Sequence, residues 1–310
     1  MTSSYRWGEY IGYIDVTYDN NGRILAYHGG PIHLTNTTAQ EPKLQAQIKE
    51  WRKPFEAFAS EVLGESKVTL DQTTCQKQEC LLGDFMADAM LDYRVSAGQK
   101  VDFAIINAGG VRATIDIGPI TRGEVLTSFP FGNSLIQLSL TGDYIWKVLE
   151  SVVSGVSQIN QKPVTSFFQV SKGIKIEYNP ANANGTRLVR VAIGGQPLDR
   201  AKNYTVVTLD FLAGGGDNFF TPTNNFVTLD TQDQILTNYI KAKTPVDIKL
   251  DGRIAVVNGT AGSSTGSGGN GTSGGNRTSG ATSATLSASS TASFAVFRTF
   301  FGLFAVFFAL

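Results

Sequence analysis

The chain has 310 residues, 26 basic and 26 acidic side chains, and a formal net charge of zero. That balance argues against a surface that binds nucleic acid polymers or anionic membranes through bulk charge. Only two cysteines and two histidines are present, too few for a Cys- or His-rich metal cluster.

Residues 5–34 alternate polar and apolar side chains around Asp19-Asn-Asn-Gly22, the signature of a β-hairpin whose turn tolerates positive φ. Two strands alone are marginal in water, so the hairpin is expected to complete a sheet lying elsewhere. Ahead of it, Met1-Thr-Ser-Ser-Tyr-Arg-Trp7 lacks the apolar core of a secretory signal, so an upstream segment is expected. From 43 to 63, Leu44, Ile48, Trp51, Phe55, Phe58 and Leu63 recur at three- to four-residue spacing. That is one helical stripe, with Pro54 expected to kink it or restart it.

Residues 67–257 suffice for one compact domain. The pattern predicts strands Lys67–Leu70, Phe103–Ile106, Ser134–Ser139, Gly173–Tyr178, Leu188–Ile193 and Tyr204–Leu209. Helices are predicted at Cys80–Ala97, Arg122–Thr127, Asp143–Val153 and Gln232–Lys241. Without strict alternation, this is an α+β arrangement with a mixed sheet and packed helices. Cys75 and Cys80 have no further cysteine or nearby histidine, and in a secreted chain they favour a small disulfide loop over a metal site.

Residues 258–293 are almost entirely Gly, Ser, Thr, Asn and Ala, a stalk that cannot pack. The seventeen residues 294–310 are apolar apart from Arg298 and a few small polar positions. Small residues, polar spacer and apolar tail are the layout of a glycosylphosphatidylinositol signal, with attachment expected at Ser279 in Ser279-Gly280-Ala281. A retained membrane span is the alternative, marginal for a core of about 30 Å. Sequons at Asn36, Asn184, Asn203 and Asn258, with two more at Asn270 and Asn276, suit an extracellular address.

Three segments carry chemistry. Ile105-Ile-Asn-Ala-Gly-Gly-Val-Arg112 ends a buried strand in Asn107, then Gly109 and Gly110, where backbone amides can approach a ligand. Arg112 adds a planar fork suited to phosphate. Phe129-Pro-Phe131-Gly-Asn is a rigid turn presenting Phe131. Leu209-Asp-Phe211-Leu-Ala-Gly-Gly-Gly216-Asp217 places three glycines after a strand, beside an acid able to bind a ribose diol. Phe131 and Phe211 can sandwich a base. Each is weak alone; jointly they read as base, sugar and phosphate.

In this order the segments closely resemble the C-terminal substrate-binding domain of the 5′-nucleotidase family. Ile48-Lys-Glu-Trp-Arg, Glu79-Cys-Leu-Leu-Gly-Asp-Phe-Met-Ala-Asp-Ala and Phe168-Gln-Val-Ser-Lys-Gly carry the same resemblance. It implies that Phe131 and Phe211 clamp the base, Asn107 meets its edge, Arg112 holds phosphate and Asp217 the ribose hydroxyls. Gln76 stands where family members often carry arginine, which weakens the expected phosphate grip. The family's catalytic centre is a divalent, zinc-type metal pair in a separate N-terminal domain, and this chain has no matching ligand set. Residues 1–38 then resemble the closing strands of that domain and 39–66 the linking helix. The expectation is a cell-surface, anchored 5′-nucleotidase acting on nucleoside monophosphates, with the chain alone inactive. A non-catalytic cell-wall or adhesion protein, or a UDP-sugar or cyclic-nucleotide hydrolase of the same family, are the alternatives.

Overall fold

A computed structural model describes residues 8–260. The stalk beyond 260, the attachment position Ser279 and the apolar tail lie outside the described residues. The chain divides into two units, with the described residues up to Glu41 in one and those from Pro42 in the other.

In the first unit, β1 (Tyr10–Tyr18) and β2 (Ile24–His33) form the expected antiparallel hairpin. Asp19 organises its turn by accepting from the backbone amides of Asn21 and Arg23.

The second unit begins with α1 (Pro42–Ala59), which continues through Pro54 and buries none of its residues. The apolar stripe predicted to reach Leu63 stops four residues earlier. Leu63 instead lies, buried, in β3 (Val62–Ser66). The predicted strand Lys67–Leu70 is not formed as such. Its main chain makes single exchanges, Lys67 N–H to Val246 and Leu70 with Ile115, while regular pairing belongs to β3. Then follow α2 (Leu81–Ser96), β4 (Phe103–Asn107), β5 (Gly118–Thr121), α3 (Arg122–Ser128) and β6 (Leu135–Thr141). Next come α4 (Gly142–Ser154), β7 (Phe168–Val170), β8 (Ile174–Tyr178), β9 (Leu188–Ile193) and β10 (Gln196–Pro197). The order closes with β11 (Asn203–Leu209), α5 (Asp210–Ala213), α6 (Gln232–Lys243) and β12 (Ile254–Val256).

Local chemistry fixes the ends of the helices. A reciprocal capping box joins Thr121 and Glu124 at the start of α3. Thr141 caps α4, and Gly155 ends it at a φ of 72°.

The central sheet runs β6-β11-β4-β7, with β4 and β11 parallel and both outer strands antiparallel. Its apolar residues alternate between two cores. Ala104, Ile106, Val207 and Leu209 face α2 and α6 on one side. Phe103, Ile105, Tyr204 and Val206 pack with α4 and the second sheet, β10-β9-β8-β12, on the other. Burial on both faces explains why β4 reads as an unbroken apolar run instead of alternating. The mixed α+β architecture is therefore the observed one.

Candidate nucleotide site

The site is built at one end of the central sheet. The parallel pair β4 and β11 finish there, and antiparallel β6 starts there, because Leu209 pairs with Leu135. Sites at the carboxyl ends of parallel strands are favoured because loops, free of ladder pairing, supply the groups. Two bonds pin the neighbouring loops: Asp210 N–H donates to Ser134 O (3.0 Å), and Ser134 N–H to the Asp210 carboxylate (3.2 Å).

Phe131 and Phe211 project from those pinned loops. They are 54% and 43% exposed, whereas Phe129 and Leu212 beside them are buried at 1% and 0%. The buried neighbours anchor the backbone and leave the two rings facing outward. Neither ring stacks on another aromatic among the described residues. The Phe211 ring instead lies against Gly216, where an added Cβ would sit 2.4 Å from it. Only glycine permits that approach.

Arg112 stands beside Phe131, its guanidinium carbon 5.8 Å from the ring centroid. Its Nη1 donates to Gly109 O (3.0 Å), and its backbone N–H donates to Ser128 O (2.8 Å). Asp217 sits in the left-handed region at a φ of 53° and accepts two side-chain bonds. Thr165 Oγ1 donates at 2.6 Å and Asn107 Nδ2 at 2.8 Å. Asn107 is buried, and its Oδ1 has no donor. In this geometry Asn107 holds the acid, a contact the sequence reading did not include. Thus Asn107 meets Asp217, Phe211 meets Gly216, and Arg112 meets both Gly109 and Phe131.

Three residues of the site's framework, Thr165, Ser166 and Gln169, were not foreseen in these roles, whereas the Cys75–Cys80 disulfide was. Thr165 and Ser166 precede β7, and Ser166 Oγ accepts from Gly109 N–H at 2.8 Å. Cys75 and Cys80 are disulfide-bonded and buried. Gln169, fully buried, satisfies three main-chain groups of their loop. Its Nε2 donates to Cys75 O (2.8 Å) and Gln78 O (2.7 Å), and its Oε1 accepts from Cys80 N–H (3.1 Å). The loop so fixed carries Gln76 to the site, where Oε1 accepts from Phe167 N–H at 3.1 Å. Glutamine in an apolar strand is the one available sequence signal, since a buried amide must find partners.

The sequence model of the 5′-nucleotidase C-terminal domain matches residues 62–223, which include every one of these residues. The chain belongs to the 5′-nucleotidase family. An apyrase of Aedes albopictus is 32% identical over 222 residues, 69% of this chain and 38% of that protein. The human 5′-nucleotidase is 28% identical over 84% of this chain and 48% of its own length. Among solved structures, the 5′-nucleotidase precursor of Thermus thermophilus superposes with a TM-score of 0.62 at 33% identity, over 83% of this chain and 52% of that one. The chain spans about half the length, or less, of the curated relatives it matches.

The dinuclear metal centre expected of the family does not fit the residues described here. Both histidines of the sequence lie on β2, and His28 pairs with Asp15 at 3.3 Å. One acidic group, Glu79, Asp84 and Asp251, is close enough to surround an ion. Arg253 occupies that role, with Nη2 2.8 Å from Asp251 and Nε 3.4 Å from Asp84. The Glu79 oxygens accept from the backbone amides of Asp251, Gly252 and Ile254. With Asp88 of α2 also 2.9 Å from Arg253 Nη1, the cluster is a tie between α2 and the segment leading into β12.

Proposed function

We propose that residues 42–257 form the nucleotide-binding half of a 5′-nucleotidase-type hydrolase that removes phosphate from nucleoside monophosphates. The observation that carries this reading is the pair of exposed phenylalanines on loops pinned to adjacent strands, with Arg112 beside one ring and Asp217 one residue beyond the glycine supporting the other. A base enters between Phe131 and Phe211, the ribose diol bonds to Asp217, and the phosphate lies toward Arg112 and the Gly109 turn. Asp217 retains lone pairs for ligand hydroxyls beyond its two protein bonds.

The reacting centre and its divalent metals belong to a part of the protein that the described residues do not supply. Exposed sequons at Asn36, Asn184, Asn203 and Asn258 support a secretory route, as does the disulfide. Membrane attachment through Ser279 completes the proposal of a cell-surface protein.

The test is adenosine binding to the full chain, measured calorimetrically. Stacking contributes about 1–3 kcal/mol per base, so Phe131→Ala and Phe211→Ala are each expected to weaken binding roughly tenfold or more. Both rings are exposed, so the fold is expected to survive. Unchanged adenosine affinity in the double variant overturns the reading.

A further inference from the structure

A second cleft lies at the opposite end of the central sheet from the nucleotide site. β7 runs antiparallel to β4, from Phe168 opposite Asn107 to Val170 opposite Ile105. The chain thus reaches Lys172 and Gly173 past the amino end of β4, where Gly173 packs against Asp102 O. Gly194 N–H donates to Gly173 O at 2.7 Å, which ties the turn after β7 to the turn between β9 and β10. The cleft between these turns has a volume of about 160 Å³ and a mostly apolar lining. Gly173 and Gly195, one in each turn, contribute main chain alone.

Ala192 and Lys175 are direct partners in the pairing of β8 with β9, so their side chains share one face of that sheet. Lys172 and Lys175 bring methylene stems as well as ammonium groups to the cleft. The charges there are unevenly matched. Lys172 Nζ lies 3.2 Å from Asp88, and Arg253 is paired with Asp251 at 2.8 Å and with Asp88 at 2.9 Å. The Lys175 ammonium has no hydrogen bond or ion pair among the described residues. Asp251 nevertheless feels its field: bonds to Arg253 chiefly hold that carboxyl below the usual range, and Lys172 and Lys175 add to the effect. One positive charge is therefore left for a ligand, beside an apolar surface.

We propose that this cleft is a second ligand site and takes a compact monocarboxylate. The carboxylate meets the Lys175 ammonium, and the apolar body rests on Ala192 and the two lysine stems. The volume sets the size, since an engineered cavity of about 150 Å³ takes a benzene ring. A charge-assisted bond to Lys175 orients the acid, and removal of its apolar body from water adds to the affinity. Inorganic phosphate has no such body and gains only the charge contact.

The test is a titration of the isotope-labelled full chain with benzoate, benzamide and inorganic phosphate, followed by amide chemical shifts in NMR. Benzoate is expected to shift the amides of residues 172–175, 192–195 and 251–253 saturably, in the millimolar range usual for so small a ligand. Benzamide has the same shape without the charge and is expected to bind at least about fivefold more weakly. Lys175→Met keeps the stem and removes the ammonium. It is expected to weaken benzoate by at least about fivefold and to leave benzamide unchanged. Lys175→Arg keeps the charge and is expected to stay within about threefold of the parent. Added salt is expected to weaken benzoate but not benzamide. Lys175 is exposed, so both variants are expected to fold, and the amides outside the cleft report it. Inorganic phosphate as effective as benzoate would reduce the cleft to a plain anion contact and overturn the monocarboxylate assignment. So would equal binding of benzoate and benzamide, an unchanged benzoate affinity in Lys175→Met, or no saturable shift at the cleft amides.

Discussion

Asp84 is 2% exposed in the first turn of α2, and neither of its carboxylate oxygens has a hydrogen-bond partner. Its charged neighbours are Arg253, Glu79, Asp251 and Asp88. Burial raises its pKa from 3.8 to about 9, more than the attraction of Arg253 lowers it, and the three nearby acids add to the rise. Asp84 therefore keeps its proton in the folded protein at neutral pH. Arg253 loses solvation on burial, but its bonds to Asp251 and Asp88 hold it charged. A carboxyl whose folded pKa is raised leaves stability intact below the unfolded value and removes it as pH climbs toward the folded value. From 3.8 to pH 7 is about 3 pH units at about 1.4 kcal/mol each, so ionisation of the unfolded chain costs the fold on the order of 4 kcal/mol. Asp84→Asn supplies a neutral group of the same shape, whose NH₂ finds acceptors in Glu79 and Asp251 close by. Urea denaturation across pH 5 to 9 is the assay. The variant is expected to gain about 2 kcal/mol at pH 5 and about 4 at pH 7, and to flatten the pH slope over that interval. A variant less stable than the parent at pH 7, with the slope unchanged, would show that Asp84 is ionised and paired with Arg253.

Gly216→Ala forces the Phe211 ring away, since the new methyl would lie 2.4 Å from it. Adenosine binding should weaken about tenfold by calorimetry, with the melting temperature little changed because the segment is partly exposed. Glu150, buried in α4, accepts from Arg187 N–H (3.0 Å), Leu188 N–H (2.7 Å) and Ser154 Oγ (2.5 Å). Glu150→Ala strands those donors and is expected to destabilise by about 3 kcal/mol or more in urea titrations. Purified chain incubated with AMP and zinc or manganese should release no phosphate in a colorimetric assay, because the described residues supply no dinuclear ligand set. Metal-dependent release would contradict that.

Most of the fold was legible where one signal dominated a long segment. Phe103–Ile106 is apolar on both faces because both cores need it, and the helix predicted at Arg122–Thr127 is α3. The short strands β5, β7 and β12, with four, three and three residues, are below the length at which alternation can be read. The end of α1 was misplaced because Leu63 extends its apolar spacing, although its burial comes from β3. The individual candidate residues were legible as candidates through odd composition: three glycines after a strand, a phenylalanine between proline and glycine. The contacts of Thr165 and Ser166 were not. They depend on the antiparallel pairing of β7 with β4, which sets Phe168 opposite Asn107 across sixty-one positions of sequence. No local pattern encodes that register.

The same pairing accounts for the strained backbone at the heart of the site. Asp217 at a φ of 53° and Asn218 at 59° occupy a conformation that costs an ordinary residue about 1 kcal/mol or more. An exposed loop of three glycines could relax it, so something must hold it. Thr165 and Asn107 bond the Asp217 carboxylate from β7's leading segment and from the end of β4, and Asn218 Nδ2 donates to Pro163 O at 2.8 Å. Three bonds to segments anchored in the central sheet offset the strain. They also aim the acid, with Gly216 immediately before it fixing the Phe211 ring. If the strain served packing alone, a relaxed loop would do as well, because Phe219 and Phe220 just beyond already bury the chain. The position of the carboxylate is what the strained turn supplies, so the sugar-binding role proposed for Asp217 rests on the backbone as much as on the side chain.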